Sequence, residues 1–305
     1  MKGYKLLIIK AIAFVALAVA VDVIAGIGMR GLEKKALERS PYGMVLENAM
    51  WEIQSDAIVI GASEACHSFI PRILEDSLSM TFYNCGKDGC RFYIQNAMID
   101  GILNRYVPKM ILWSVSPDVL RTPSKLDQGN LSQLNPYYKE SEFVRDVMKT
   151  KSKYEPIKLI SESYVFNSRL LPFLYKIAEE DYGFEYGGYS PLKGTKKGLT
   201  IKEKKWRGHY DAEIESVFRA TLARCKNEGV EVVLVFTPRL ENENHQDLET
   251  YKALKKVVAD YDLKIIEDLY HYDGLMEPKY FKDRGHLNDV GAPIFTSLLA
   301  SELLH

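Results

Sequence analysis

Ser63 and His286 are the residue types that could carry out covalent chemistry together, although they stand far apart in the chain. Ser63 lies in Gly61-Ala62-Ser63-Glu64, at the end of a short apolar run, residues 56–61, that reads as a buried strand. Residues 64–69 then open a helix, so backbone N–H groups surround the hydroxyl and favour developing negative charge. Capping that helix is the plainer use of such a serine. His286 follows Asp283 by three positions. A carboxylate at that spacing can hold the imidazole Nδ1–H and fix the tautomer, which leaves Nε2 to take a proton from a serine. The same D-x-x-H spacing also occurs in surface turns, with Asn288 or Asp289 capping the last helix.

Other residues are candidates with a plainer reading beside each. His67 sits four positions past Ser63, on the same helix face, as an alternative base, a substrate contact or a hydrogen-bonded structural histidine. Asn84, opening the N-x-G-x-x-G pattern that ends at Gly89, is a further candidate contact. Phe184, Tyr186 and Tyr189, with Tyr182 before them, could stack on sugar rings or pin a loop to the body. The 6 histidines include no pair at metal-ligand spacing, so no metal and no cofactor are expected. Gly61-Ala62-Ser63-Glu64 lacks the glycine spacing of a phosphate cradle, which argues against a nucleotide-binding domain. Cys85 and Cys90 read as two buried thiols or, if the body is exported, a small disulfide loop.

Residues 58–71, 83–89, 232–238 and 280–295 resemble, in that order, the SGNH/GDSL hydrolase superfamily. The likeness is to a membrane-anchored bacterial branch with degenerate first and third blocks. The resemblance implies a flavodoxin-like three-layer α/β/α domain with Ser63 as nucleophile, His286 as base and Asp283 orienting it. It also implies an oxyanion hole built from the N–H groups of Ser63 and Gly89. Two departures stand out: Ala62 replaces the aspartate of the first block, and Ser114-Val115-Ser116-Pro117-Asp118 offers no asparagine where the third block has one. Ser116 could donate a hydroxyl from that place.

The elements that must position these groups alternate between strand and helix. Apolar runs at 56–61, 80–83, 110–115, 230–236 and 264–267 predict a parallel sheet of about five strands. Helical patterns occupy 71–78, 92–106, 211–227, 245–261 and 293–304. Residues 121–207 break the rhythm with two further helical stretches, 142–149 and 164–180, and then loop-like sequence. They read as an insertion over the active-site face. Residues 193–207 are strongly basic, a solvated loop or a contact for anionic headgroups or acidic glycans.

Residues 6–29 form the most apolar stretch, interrupted by Lys10 and Asp22, and are long enough to cross a bilayer as a helix. They read as an uncleaved signal anchor. A cleaved signal peptide, with Ala18-Val19-Ala20 as the site, and a buried core helix are the alternatives. The expected organisation is an anchor over 1–30, a helical linker over 31–55 and a hydrolase domain over 56–305. Arg30, Lys34, Lys35 and Arg39 after the span favour a cytoplasmic body by the positive-inside count, whereas the resemblance implies an extracytoplasmic one. The 40 Lys and Arg against 41 Asp and Glu leave a net charge of -1, which speaks against a nucleic-acid partner. The expected activity is a serine esterase on O-acyl groups of a cell-surface polysaccharide. An O-acyltransferase with the same triad and a non-catalytic, membrane-tethered glycan-binding or assembly protein are the alternatives.

Overall fold

A computed structural model describes residues 2–167, 169–179, 181, 183–206, 208–242 and 244–305. Tyr182, named above, lies outside the described residues, as do the end positions 1, 180 and 207 of expected segments. The chain divides into two compact units, Met1–Pro41 with Leu131–Glu180, and Tyr42–Asn130 with Asp181–His305.

The larger unit holds the sheet. Strands β1 (Ala57–Ile60), β2 (Phe82–Asn84), β3 (Met110–Val115), β5 (Glu231–Phe236) and β7 (Lys264–Ile266) are all parallel, in the order β2-β1-β3-β5-β7. Counting these five in chain order gives 2-1-3-4-5, the doubly wound flavodoxin-like arrangement expected from the sequence. Among the described residues, two short pairs complete the strands: β4 (Lys202–Glu203) with β6 (Glu241–Asn242), and the antiparallel β8 (Phe281–Asp283) with β9 (His286–Leu287).

Both faces of the sheet are apolar, which is why its strands read as continuous runs instead of alternating ones. Ala57, Val59, Leu112, Val233 and Val235 face one layer, where Phe69, Leu74, Phe295 and Leu299 join the same core. That layer is built from α3 (Ser63–Ser68), α4 (Pro71–Leu78) and α13 (Gly291–Leu303). On the opposite face Trp113 meets Phe218 of α11 (Ala212–Asn227) and donates to Gln95 of α5 (Phe92–Leu103). Phe236 lies against Tyr251 of α12 (Glu249–Tyr261), and α2 (Val45–Trp51) packs on α5. Short α6 (Lys125–Asn130) ends this unit's first segment.

The smaller unit is helical. Its α1 (Lys2–Arg39) runs without a break through the apolar segment and the polar stretch behind it. With it are α7 (Glu142–Lys151), α8 (Glu155–Lys158), α9 (Glu162–Val165) and α10 (Leu170–Glu179). The helix expected over 164–180 is therefore two helices. Pro172 explains the break, because proline is tolerated in the first turn of α10 but would clash with the carbonyl of a preceding helical turn. Asp22, awkward for a membrane span, has a local role here. Its carboxylate accepts from Ser161 Oγ at 2.8 Å and from the N–H groups of Glu162 at 2.8 Å and Ser163 at 2.9 Å, capping α9.

Candidate active site

The site begins where β1 turns into α3. A side chain at Gly61 would put its Cβ 2.6 Å from Ala65 Cβ and 2.9 Å from Ser114 Cβ, so the turn closes only with glycine. Ala62, not Ser63, holds the cap position of α3, and it makes no side-chain cap. The Ser63 hydroxyl is thereby released from the capping role that its sequence position suggested.

The late pair arrives on a hairpin. Asp283 and His286 face each other across β8 and β9. Asp283 Oδ1 accepts the Gly285 N–H at 2.8 Å and lies 2.8 Å from His286 Nδ1. Because a carboxylate only accepts, Nδ1 carries the proton, and Nε2 is left as an acceptor. His286 Nε2 is 2.7 Å from Ser63 Oγ. Burial pushes the Asp283 carboxyl up, but the Gly285 N–H and the facing imidazole outweigh it and hold the group below its ordinary value. Asn288 fixes the hairpin from below. Its side chain donates to the Lys279 carbonyl at 2.8 Å and accepts from Val290 and Gly291 at the start of α13, each at 3.0 Å.

Arg239, which sequence reasoning missed, ties these parts together. Its guanidinium meets Glu64 at 2.6 Å and Glu241 at 2.9 Å, and it passes beside Gly285. The available signal was its place just after Thr237-Pro238, at the carboxyl end of β5, where ligands gather in such sheets.

The loop after β2 lies alongside the loop after β1. Cys85 N donates to Val59 O at 2.8 Å and Lys87 N to Gly61 O at 3.3 Å. A Cβ at Gly86 would sit 2.2 Å from Cys66 N, so the glycine permits the approach. Gly89 takes φ +69°, and its carbonyl accepts from Asn130 Nδ2 at 3.2 Å. Two expected contacts, Asn84 and Ser116, are placed differently from their proposed use. Asn84 is fully buried, donating to the Ala65 and Phe69 carbonyls and accepting from Gly86 N, so it builds the turn and does not face a substrate. Ser116 donates its hydroxyl to Asp118 at 2.6 Å, which draws that proton away from an oxyanion. Tyr186 is exposed, with the Arg72 guanidinium over its ring at 4.8 Å and its hydroxyl on Glu75.

His67 is buried. Its Nδ1 meets the Ser190 carbonyl at 2.6 Å, its Nε2 meets Asp88 at 2.9 Å, and its ring stands edge-on to His286 at 5.6 Å. Burial works against its charged form, but Asp88 and the Ser190 carbonyl overcome this and raise its pKa. Cys66, His67 and Asp88 each bring a potential ligand atom within 4.8 Å of the others. Both ring nitrogens of His67 are already engaged, however, and burial pushes the Cys66 thiol far above its ordinary value, which disfavours the thiolate a metal needs. Cys66, Cys85, Cys90 and Cys225 are all buried free thiols.

No family model and no curated protein matches the chain. Among solved structures, it is similar to a lipase/acylhydrolase from Enterococcus faecalis, at 10% identity and TM-score 0.39, over 81% of this chain and 94% of that one. It is similar to the acetyl xylan esterase AlAXEase at 14% identity and TM-score 0.39, over 81% and 97%. A catalytic mutant of the acetylxylan esterase Axe2 from Geobacillus stearothermophilus matches at 10% identity and TM-score 0.39, over 79% and 90%. These are distant likenesses.

Proposed function

We propose that the chain is a membrane-anchored serine ester hydrolase of SGNH type that works through an acyl-serine intermediate. The observation that carries this reading is the 2.7 Å approach of His286 Nε2 to Ser63 Oγ, with Asp283 2.8 Å behind the ring. Ser63 Oγ attacks the ester carbonyl carbon while its proton passes to His286 Nε2. The tetrahedral oxyanion is met by the N–H groups of Ser63 and Gly89. The C–O bond to the alcohol then breaks, the leaving oxygen takes the proton from His286, and the acyl group stays on Ser63. Water, deprotonated by His286, releases the acid and regenerates the serine. With Ser116 bonded to Asp118, the reading uses two oxyanion donors, and a missing third costs about 3 kcal/mol of transition-state stabilisation.

The proposed substrate is an O-acyl ester on a cell-surface polysaccharide, with exposed Tyr186 as a surface on which a sugar ring could stack. The expected anchor, residues 6–29, is shifted to the eighteen residues 4–21, all exposed, because Asp22 and Gly26 pack against α9; these eighteen rise about 27 Å as a helix, close to the hydrocarbon thickness of a bilayer. The body is assigned to the extracytoplasmic side, as the resemblance implies.

A fluorophosphonate probe tests the nucleophile on the full-length protein in detergent. It is expected to label the native chain and to leave Ser63→Ala unlabelled, and p-nitrophenyl acetate turnover is expected to vanish in His286→Ala. Equal labelling of the native chain and Ser63→Ala, or no labelling of either, removes the serine from the chemistry.

A further inference from the structure

We infer that the smaller unit is itself seated in the lipid headgroup region, with the exposed apolar side chains of α8, α10 and the α8–α9 turn as its membrane-facing surface. This placement rests on α1 crossing the bilayer, and it adds a second contact that the anchor alone does not imply.

The level of the bilayer can be read along α1. Residues 3–21 are exposed on every side, and protection begins abruptly at Asp22 and continues through Gly26, Met29, Glu33 and Ala36. Those positions step by four and three, the stripe by which one helix packs on another. Asp22 caps α9, Gly26 lies against the Glu162 side chain, and Arg30 pairs with Glu162. If residues 4–21 fill the hydrocarbon, Asp22 stands at its edge, and the start of α9 is fixed at that same depth.

From this level outward the smaller unit carries further apolar side chains that are unshielded. Ile160, one residue before the capped turn, is 74% exposed, and Leu171 on α10 is 76% exposed. Ile157, Leu170 and Leu174 are exposed as well, as are Ile24 and Ile27 on α1 itself. Isolated exposed leucines need no explanation, but a set on and beside helices that pack against one anchor helix marks an interaction surface. Its chemistry fits an anionic lipid surface. Lys153 lies 5.1 Å from the Tyr154 ring and Lys176 5.9 Å from the Tyr175 ring, both tyrosines being exposed. Amphipathic rings and long cationic side chains flanking an apolar surface suit the headgroup layer.

The test uses the full-length chain in vesicles of phosphatidylcholine and phosphatidylglycerol. The native cysteines are buried, so a fluorescent maleimide reacts with one introduced at Ile160→Cys, Leu171→Cys or Phe14→Cys. Labels at 160 and 171 are expected to shift to the blue, to lose emission to lipids spin-labelled near the headgroup, and to resist aqueous iodide. The label at 14 is expected to lose emission to lipids spin-labelled deep in the acyl chain. Deep quenching at 14 with free iodide access at 160 and 171 overturns the inference and leaves the anchor standing. Iodide access at all three positions removes the anchor as well. Labels at 160 and 171 shielded from both quenchers indicate a protein covering, such as a second copy, and also overturn it.

Discussion

Arg239 Nη1 lies 2.6 Å from Glu64 Oε1, so the residue next to Ser63 is held by the loop that follows β5. The same guanidinium reaches Glu241 at 2.9 Å and passes beside Gly285, in the turn that carries Asp283 and His286. Two carboxylates push its pKa upward against the effect of burial, so Arg239 stays charged at any working pH. One side chain thus ties the serine loop to the histidine turn.

Arg239→Lys is expected to lose this bridge, because an ammonium cannot span both glutamates as a fork does. Chemical denaturation should show a loss of about 2 kcal/mol for Arg239→Ala, the size of a hydrogen bond to a charged group. Fluorophosphonate labelling of Ser63 should slow in both variants. Native stability together with a native labelling rate in Arg239→Ala would remove the bridging role.

Asp283→Asn should keep the hairpin but present the wrong hydrogen-bond partner to Nδ1, and ester turnover should drop by about 10⁴-fold, as such a swap does in serine protease triads. The folded-state pKa of Asp283 is lowered. Its contribution to stability is therefore present above the unfolded carboxylate value near pH ~4 and is lost as pH falls through the lowered folded value. Melting curves between neutral and acid pH should show the native chain losing this increment while Asp283→Asn does not. Parallel curves for the two would count against it.

His67 titrates in the opposite sense. Its folded pKa is raised by Asp88 and the Ser190 carbonyl, so the His67–Asp88 pair stabilises fully below the unfolded imidazole value near pH ~6.5. That contribution is lost as pH rises through the raised folded value. Asp88→Asn should accordingly be destabilised most in mild acid and least in alkali, measured by urea midpoints across that range. A pH-independent difference would mean that the pair acts only as a neutral hydrogen bond.

Gly86→Ala is expected to be costly although the position bears no chemistry. The new Cβ would stand 2.2 Å from Cys66 N and 2.7 Å from Ala65 C, both backbone atoms of α3. Overpacking of this kind costs about 1–3 kcal/mol and would displace the helix that carries Ser63. A lower melting temperature with slowed labelling is the expected pair of results. An unchanged melting temperature would show that the two loops can separate freely.

The sequence by itself determined the sheet and the candidate triad residues. Apolar runs at 56–61, 80–83, 110–115 and 230–236 read as strands because a strand buried on both faces needs continuous apolar side chains, whereas the run at 264–267 is weaker and its strand starts with exposed Lys264. Ser63, Asp283 and His286 were legible for a related reason: the first follows a strand end, and the other two sit at a spacing that one turn can close. Tertiary structure decided what local pattern cannot encode. Asn84 looked like a substrate contact and Ser116 like an oxyanion donor, yet their hydrogen bonds go to Ala65, Phe69 and Asp118, partners set by how neighbouring loops pack. Arg239 carried no motif, since its role comes from the distance between three loops. Asp22 looked like a flaw in an apolar span until α9 arrived 139 positions later to take its carboxylate as a cap. Side-chain type and spacing determine which elements form, whereas the partner of each polar group depends on which chain segments the folded core brings within about 3 Å.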